Sequence, residues 1–328
     1  MKNKPLGRTG VAVSQLCFGT MSFGGDADEA TSAAMYKATR DAGINFYDCA
    51  DQYNKGKSEE ILGRLMKGHR DQLVITTKCY NPVTEDINDR GTSRRHVVRA
   101  IEASLKRLGT DRVDVLFLHQ FDKHTPIDES MRALEDAVRS GKVLYPAVSN
   151  WSAWQTQRAV DIQEKNNWAR LQVHQPMYNL VKRQAEVEIL PMCAANGIGV
   201  IPYSPAGAGL LSGKYSGEAG KENAGRLKAN KMYTARYGEQ WMFDVADKFV
   251  AFCKQKGLHP VSTAIAWVGA HPAITAPIIG ARNLDQLKDS LNAVKVDMTP
   301  ALRAEIADLS RTPPPATDRL EEIKPAKT

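Results

Sequence analysis

Apolar runs the length of a β-strand alternate with amphipathic segments the length of a helix along almost the whole chain. The helical pattern is clearest in residues 93–108, where apolar side chains recur every three or four positions, and again in residues 127–140. Thr92 or Ser93 suits the N-cap of the first of these helices, and Gly109 suits its C-cap. Eight apolar runs predict β-strands, at residues 16–18, 45–48, 73–77, 113–118, 143–149, 171–174, 199–203 and 275–279.

Eight strands, each followed by a helix, predict an α/β fold with a closed parallel (β/α)8 barrel, the TIM barrel. An open doubly wound sheet fits the same alternation but usually has fewer strands. Residues 4–13 predict a hairpin ahead of the first barrel strand, with Gly7-Arg8-Thr9-Gly10 as its turn. Residues 204–240 are rich in glycine and lysine and show little periodicity, which indicates a long loop. We expect one barrel domain over residues 1–310 and an irregular tail over residues 311–328.

Composition and charge narrow the class of protein. The 328 residues are 42% hydrophobic and 25% charged, which is ordinary for a globular protein, and the net charge is +7. Nucleic-acid binding is not expected, because the basic residues are not interspersed with aromatic residues on which bases could stack. Attraction of a ligand that carries phosphate groups explains the positive charge better. Five scattered cysteines favour free thiols in a reducing compartment such as the cytoplasm. Residues 1–9 are polar and no run of 18 apolar residues occurs, so neither a signal peptide nor a membrane span is expected.

Four polar side chains lie at or just after the ends of consecutive predicted strands. Asp48 ends the second strand and is followed by Tyr53, while Lys78 and His119 directly follow the third and fourth strands. Each alone has an ordinary structural explanation, such as a helix cap or a packed ring. In a parallel barrel, however, active sites form at the carboxyl ends of the strands, so we expect the four side chains to lie together.

These four groups together can couple proton transfer to hydride transfer. A carbonyl that accepts hydride develops alkoxide charge and needs a proton, which the phenol of Tyr53 can donate. We expect the neighbouring Lys78 ammonium to lower the pKa of that phenol, and Asp48 to hold the ammonium in place. His119 can donate a hydrogen bond to the carbonyl oxygen and orient it.

The motifs that carry these residues closely resemble those of the aldo-keto reductases. Phe46-Tyr47-Asp48 with Ser58-Glu59-Glu60-Ile61-Leu62-Gly63 is similar to the second-strand signature of the family, and Thr76-Thr77-Lys78 and Leu118-His119 look like its lysine and histidine sites. The resemblance runs from about Leu6 to Leu309. The segments at residues 89–97 and 209–215 resemble the branch of bacterial long-loop reductases and potassium-channel β subunits.

The resemblance implies NADPH or NADP as cofactor, bound without a Rossmann domain, and Tyr53 as general acid. It implies that Tyr203 stacks on the nicotinamide, that Ser149 and Asn150 bind its carboxamide, and that the long loop covers the pyrophosphate. The guanidinium of Arg282 can donate two parallel hydrogen bonds to a 2′-phosphate. Its presence therefore favours NADPH over NADH. The implied cofactor-binding residues are Gly19, Thr20, Met21, Asp48, Ser149, Asn150, Gln175, Tyr203, Ser204, Pro205, Ala206, Gly207, Leu210, Ser212, Lys214, Arg226, Gly280, Arg282, Gln286 and Asp289. No metal is implied.

Two other classes of protein remain as alternatives to a reductase. One is a regulatory subunit that holds NADPH, similar to the potassium-channel β subunits. Such proteins tend to lose the histidine, so the presence of His119 favours the enzyme. The other is a metal-dependent barrel hydrolase, for which only His119, Asp48 and His174 qualify as ligands, and alternation along the strand makes His174 a packed residue. The expected partner is an aldehyde or ketone, whose identity stays open, as does the choice between monomer and homo-oligomer.

The sequence departs from the family pattern at three places. Phe121 replaces a proline that usually comes two residues after the catalytic histidine. Pro146-Ala147 stands where Ile-Gly is common, and Asp289-Ser290 stands where Glu-Asn commonly closes on the adenine. None of these departures involves the four catalytic positions.

Overall fold

The computed structural model describes residues 1–216 and 231–322. The strands are β1 (Asn3–Pro5), β2 (Ala12–Ser14), β3 (Cys17–Gly19), β4 (Phe46–Asp48), β5 (Val74–Cys79), β6 (Val113–Leu118), β7 (Val143–Ser149), β8 (Val173–Gln175), β9 (Gly199–Val200) and β10 (Ile278–Ile279). The helices are α1 (Glu29–Asp41), α2 (Lys57–Leu65), α3 (Arg94–Leu108), α4 (Ile127–Arg139), α5 (Ala153–Lys165), α6 (Ile189–Asn196), α7 (Lys231–Tyr237), α8 (Gln240–Gln255), α9 (Pro260–Gly269), α10 (Leu284–Leu291) and α11 (Pro300–Ala307).

Strands β3 to β10 form one parallel sheet in the order β10-β3-β4-β5-β6-β7-β8-β9. The two edges of this sheet meet, because the backbone N–H of Thr275 donates to the carbonyl of Val200 at 2.9 Å and that of Ile278 donates to Pro202 at 2.9 Å. The sheet is therefore closed into the predicted (β/α)8 barrel. Strands β9 and β10 are shorter than predicted, since Pro202 and Pro277 have no N–H to continue a regular ladder.

The predicted hairpin is confirmed, and it closes the amino-terminal end of the barrel. Strands β1 and β2 pair antiparallel, and Leu6 and Val13 belong to the fully buried cluster inside the barrel. Gly7, at φ +55°, lies so close to the barrel that a Cβ there would come within 2.8 Å of the carbonyl of Gln172 and the N–H of Gly199. Because the hairpin seals this end, the opposite end of the barrel is the one left to form a site.

The best-patterned helix of the sequence begins and ends where its capping residues predict. Ser93 accepts a hydrogen bond from the backbone N–H of His96, and Gly109 adopts φ +62° at the C-cap of α3. The second predicted helix is α4, for which Ser140 is the C-cap. Both helices bury their apolar face against the outside of the barrel.

The long stretch at residues 204–240 contains more regular structure than its composition predicts. A 3-10 segment spans Gly207–Ser212 and helix α7 spans Lys231–Tyr237, whose Tyr233 and Tyr237 are both buried. These two aromatic residues are four positions apart, so they lie on the same, buried face of α7. The lysines and glycines around them make this helical periodicity hard to recognise in the sequence. In the tail, residues 311–319 are irregular and a 3-10 turn follows at Leu320–Glu322. Residues 217–230 and 323–328 lie outside the described part of the chain.

Two features are absent from the described residues. None of their helices is long and apolar enough to cross a membrane. Within the same residues, no three His, Cys, Asp or Glu side chains are grouped as metal ligands.

Candidate active site

The carboxyl ends of strands β4, β5 and β6 bring the four predicted catalytic residues together. Asp48 is the last residue of β4 and pairs with Thr76 of β5, while Lys78 lies opposite Phe117 of β6. Strand β5 extends one residue past Lys78, so this lysine lies within the strand and is held by the ladder, rather than following the strand as predicted. Tyr53 begins the turn that follows β4.

Lys78 lies at the centre of the site. Its side chain is fully buried, and Nζ donates to Asp48 Oδ2 at 2.6 Å, to the Cys49 carbonyl at 2.7 Å and to the Tyr53 hydroxyl at 3.3 Å. These three acceptors match the three protons of an ammonium. Burial alone would lower the pKa of Lys78, but Asp48 and Tyr53 raise it above its usual value. The side chain is therefore a permanent cation beside the phenol.

Asp48 is fixed through both of its carboxylate oxygens. While Oδ2 accepts from Lys78, Oδ1 accepts from Thr76 Oγ1 at 2.7 Å and from Gln175 Nε2 at 2.9 Å. Gln175, which is expected to bind the cofactor, thus also holds the carboxylate of Asp48 in place. Thr76 was not predicted, although it lies two residues before Lys78 on the same face of β5, where strand alternation indicates it.

Tyr53 is a weaker acid than the sequence predicts. Burial raises its pKa to about 12, even though the Lys78 ammonium lowers it. Lys78 acts in the expected direction, but desolvation of the phenolate outweighs the attraction of one cation that is itself paired with Asp48, so the pKa of Tyr53 is raised overall. The phenol is therefore fully protonated at neutral pH.

His119 is held neutral beside this phenol. Its ring lies edge-on to that of Tyr53, with centroids 6.2 Å apart. Burial, Lys78 and Arg236 lower its pKa to about 3. Gln52 Nε2 lies 3.5 Å from Nδ1, and when this amide donates to Nδ1 the ring proton is on Nε2. That tautomer leaves an N–H available to a carbonyl oxygen.

A second polar network follows strands β7, β8 and β9 on the same rim. Ser149 Oγ donates to the Gln175 carbonyl at 2.9 Å, and Asn150 Nδ2 donates to the His119 carbonyl at 3.0 Å. The Tyr203 hydroxyl donates to Asn150 Oδ1 at 2.7 Å. The structure therefore brings four of the implied cofactor residues next to the predicted catalytic group.

The residues after β3 join this rim from the other side. Thr20 is buried, and its N–H and hydroxyl both donate to the Asp48 carbonyl, at 2.9 and 3.1 Å. Gly19 ends β3, and a Cβ there would come within 2.8 Å of the Ile278 side chain. Met21 is exposed, and its carbonyl accepts from Asn54.

The segment after β9, which is expected to cover the pyrophosphate, is a 3-10 segment with a left-handed kink. Gly207, Ala208 and Gly209 all have positive φ, at 60°, 55° and 88°. Ser212 donates to the Gly209 carbonyl at 2.7 Å, and Lys214 is exposed with Nζ 4.7 Å from the Tyr215 ring centroid. Ser204 adopts φ +57°, whereas Pro205, Gly207 and Leu210 are buried and Ala206 is half-buried. Arg226, implied as a further cofactor residue, lies outside the described residues.

Of the implied cofactor residues after β10, only some lie next to one another. Arg282 accompanies Gln286, whose Oε1 accepts from the Arg282 backbone N–H at 3.2 Å, and Gly280 is exposed beside them. The Arg282 side chain is exposed and its Nε lies 3.0 Å from Asp26 Oδ2. Asp289 lies one turn further along α10, 3.7 Å from His259 Nε2.

A buried acid adjoins the turn that carries Tyr53. Asp51 is 1% exposed, and no side chain in the described part of the chain donates a hydrogen bond to its carboxyl oxygens, which lie near the backbone N–H of Gln52. Burial and the neighbouring Glu59 raise its pKa to about 8, so it is neutral at pH 7. The sequence contains no signal for this, because an aspartate in a strand-end loop is ordinarily exposed.

Known proteins are similar to this chain along almost its whole length. The sequence model described as "Aldo/keto reductase family" matches residues 15–311. The chain is 40% identical over 316 residues to an uncharacterized oxidoreductase of Bacillus subtilis (strain 168), YrpG, which covers 93% of this chain and 94% of that protein. It is 34% identical to a probable voltage-gated potassium channel subunit beta of Oryza sativa subsp. japonica, over 94% and 95% of the two chains. It is 32% identical to the versiconal hemiacetal acetate reductase of Aspergillus parasiticus, over 92% and 94%.

Proposed function

The chain belongs to the aldo/keto reductase family of oxidoreductases, and from that premise we propose that it reduces aldehydes or ketones to alcohols, reversibly, with NADPH as hydride donor. The observation that carries the proposal is the position of Lys78 Nζ, which donates hydrogen bonds to both Asp48 and the Tyr53 hydroxyl. A neutral imidazole, His119, lies beside the same hydroxyl. This is the set of groups that a carbonyl needs when it accepts hydride.

The residues on the rim fit a dinucleotide phosphate. Lys214 and Arg282 are exposed cations suited to phosphate groups, and Tyr203 offers an aromatic face next to the amide of Asn150. We propose that these residues hold NADPH with the others named above after β3, β7, β8, β9 and β10. When bound, the cofactor supplies the hydride.

The protein groups carry the proton and the orientation. His119 Nε2–H donates to the carbonyl oxygen and holds it near the Tyr53 hydroxyl. Tyr53 donates its proton to that oxygen as negative charge develops on it, and Lys78 stabilises the phenolate that remains. Because the pKa of Tyr53 is raised to about 12, the proton is always present, and the task of Lys78 is to make its departure less costly.

The direct test is a screen of the purified chain for NADPH oxidation with aldehydes and ketones, and for NADP reduction with alcohols. We expect turnover with at least one carbonyl class, measured by the loss of absorbance of the reduced nicotinamide. NADPH binding without turnover of any carbonyl or alcohol would contradict the proposal.

The same outcome would favour a second candidate, a cofactor-holding regulatory subunit. This candidate rests on the 34% identity to a protein named as a potassium channel subunit beta. The presence of Tyr53, Lys78 and His119 in bonding or ring contact argues for catalysis instead. The carbonyl screen therefore separates the two.

Arg282→Ala is expected to weaken NADPH binding about tenfold more than NADH binding. A guanidinium that pairs with the 2′-phosphate contributes roughly 1.5–3 kcal/mol when well formed, and less when exposed, as this one is. The existing contact with Asp26 is an exposed ion pair of small net value, so it does not prevent that pairing. Fluorescence titration of both nucleotides measures the effect. Equal losses for NADPH and NADH would show that the 2′-phosphate binds elsewhere.

A further inference from the structure

Arg236 lies at the mouth of the candidate site, on helix α7. It is half-buried, and its guanidinium carbon lies 5.8 Å from the ring centroid of Tyr203. The hydroxyl of Tyr203 is bonded to Asn150, whose amide is bonded in turn to the His119 carbonyl. The arginine thus borders the same space as His119, although it comes 117 positions later in the sequence.

The charge of Arg236 acts on the groups around that space. It contributes to the lowered pKa of His119 and also to that of Lys182. Lys182 is a second half-buried cation, with Nζ 5.9 Å from the ring centroid of Tyr237 on α7. Arg236 and Lys182, together with the carboxylate of Glu239 near the lysine, leave a net positive charge that attracts an anion.

Arg236 is a part-buried arginine with neither a carboxylate nor a neutral hydrogen-bond acceptor among the described residues, whereas Arg40 and Arg303 have neutral acceptors. Arg70, Arg107 and Arg183 each have a carboxylate within 2.9 Å. By contrast, no hydrogen bond or ion pair joins the Arg236 guanidinium to any residue of 1–216 or 231–322. A guanidinium that has lost part of its water and gained no acceptor has donors free for a ligand.

The position of Arg236 indicates which ligand these donors suit. Under the proposed function, the substrate carbonyl lies between Tyr53 and His119 and the nicotinamide lies against Tyr203. The remainder of the substrate therefore extends from His119 towards the mouth of the site, where Arg236 lies. A guanidinium fork matches a carboxylate in shape and charge.

We propose that Arg236 binds a carboxylate on the carbonyl substrate, so that the reductase prefers anionic aldehydes or ketones over neutral ones of the same shape. This inference rests on the proposed function. Lys182 adds to the local positive potential, but its ammonium cannot form the two parallel hydrogen bonds that a guanidinium makes to a carboxylate. The same donors also suit a cofactor phosphate, and the experiment separates that source from the substrate.

The test compares 3- and 4-formylbenzoate with the matching formylbenzamides, which have nearly the same shape and no charge. Wild type, Arg236→Gln, Arg236→Lys and Lys106→Gln are assayed for kcat/KM at saturating NADPH. Lys106→Gln is the control, because it removes one exposed positive charge from the end of α3 that leads to the opposite end of the barrel. NADPH affinity of each variant is measured separately by fluorescence titration.

We expect wild type to prefer at least one formylbenzoate over its amide, and Arg236→Gln to lower that preference about 10- to 100-fold, mainly through KM. Arg236→Lys restores part of it, and Lys106→Gln leaves it intact. An equal loss on acid and amide, or no preference in wild type, overturns the inference while leaving the reductase proposal in place. Weaker NADPH binding by Arg236→Gln with an unchanged preference assigns the guanidinium to a cofactor phosphate and also overturns it. Absence of turnover with all of these aldehydes overturns the inference, and the wider carbonyl and alcohol screen then decides the proposed function separately.

Discussion

Tyr53→Phe is expected to lower kcat for carbonyl reduction by about 100- to 10,000-fold, the usual contribution of a general acid, while NADPH binding is retained. The substitution removes only the hydroxyl that Lys78 Nζ contacts at 3.3 Å and leaves the ring against His119. The buried ammonium keeps its bonds to Asp48 and to the Cys49 carbonyl, so the fold is expected to survive. Steady-state kinetics with NADPH, together with a nucleotide titration, measure the two properties separately.

Tyr36→Phe is the matched control for this variant. It removes a buried phenol hydroxyl that is hydrogen-bonded at 2.6 Å to His69, on helix α1 outside the barrel. Its kcat is expected to stay within about twofold of wild type, because neither Tyr36 nor His69 belongs to the candidate site. Full activity of Tyr53→Phe would remove the tyrosine from the mechanism and leave His119 as the remaining donor.

The position of these residues is the part of the site that the sequence predicts best. Parallel barrels collect the carboxyl ends of their strands at one rim, so a polar residue at the end of an apolar run is placed by the fold itself. Asp48, Lys78 and His119 meet for this reason. The hairpin and helix α3 are predicted equally well, since turn and capping residues act over a few positions.

The acid strength of the site is the part that the sequence does not predict. The pKa of Tyr53 depends on the balance between loss of water and the pull of Lys78, and only the fold shows how much water is lost. The neutral state of Asp51 has the same origin. Gln175 bonds to Asp48 across 127 positions, and Arg236 approaches Tyr203 from a stretch with no clear period. Contacts of this kind leave no local pattern in the chain.

Lys78→Met is expected to reduce both stability and activity, because it leaves the Asp48 carboxylate buried without its counter-charge. Breaking a buried ion pair from one side costs about 3–5 kcal/mol, and here Thr76 and Gln175 still donate to the stranded carboxylate but do not neutralise it. We expect a lower urea midpoint for unfolding and a loss of kcat of at least about 100-fold, since no cation remains to stabilise the Tyr53 phenolate. Chemical denaturation and steady-state kinetics measure the two effects.

The double variant Lys78→Met/Asp48→Asn separates these two effects. With no charge left at these two positions, most of the lost stability is expected to return, because an uncharged pair of similar volume is often as stable as a buried ion pair. Activity is not expected to return, since the ammonium beside Tyr53 is still missing. A double-mutant cycle measures the coupling between the two substitutions. We expect a large coupling for the free energy of unfolding and a small coupling for kcat. Recovery of kcat in the double variant would mean that Lys78 serves only to neutralise Asp48, and the phenolate would then need another source of stabilisation.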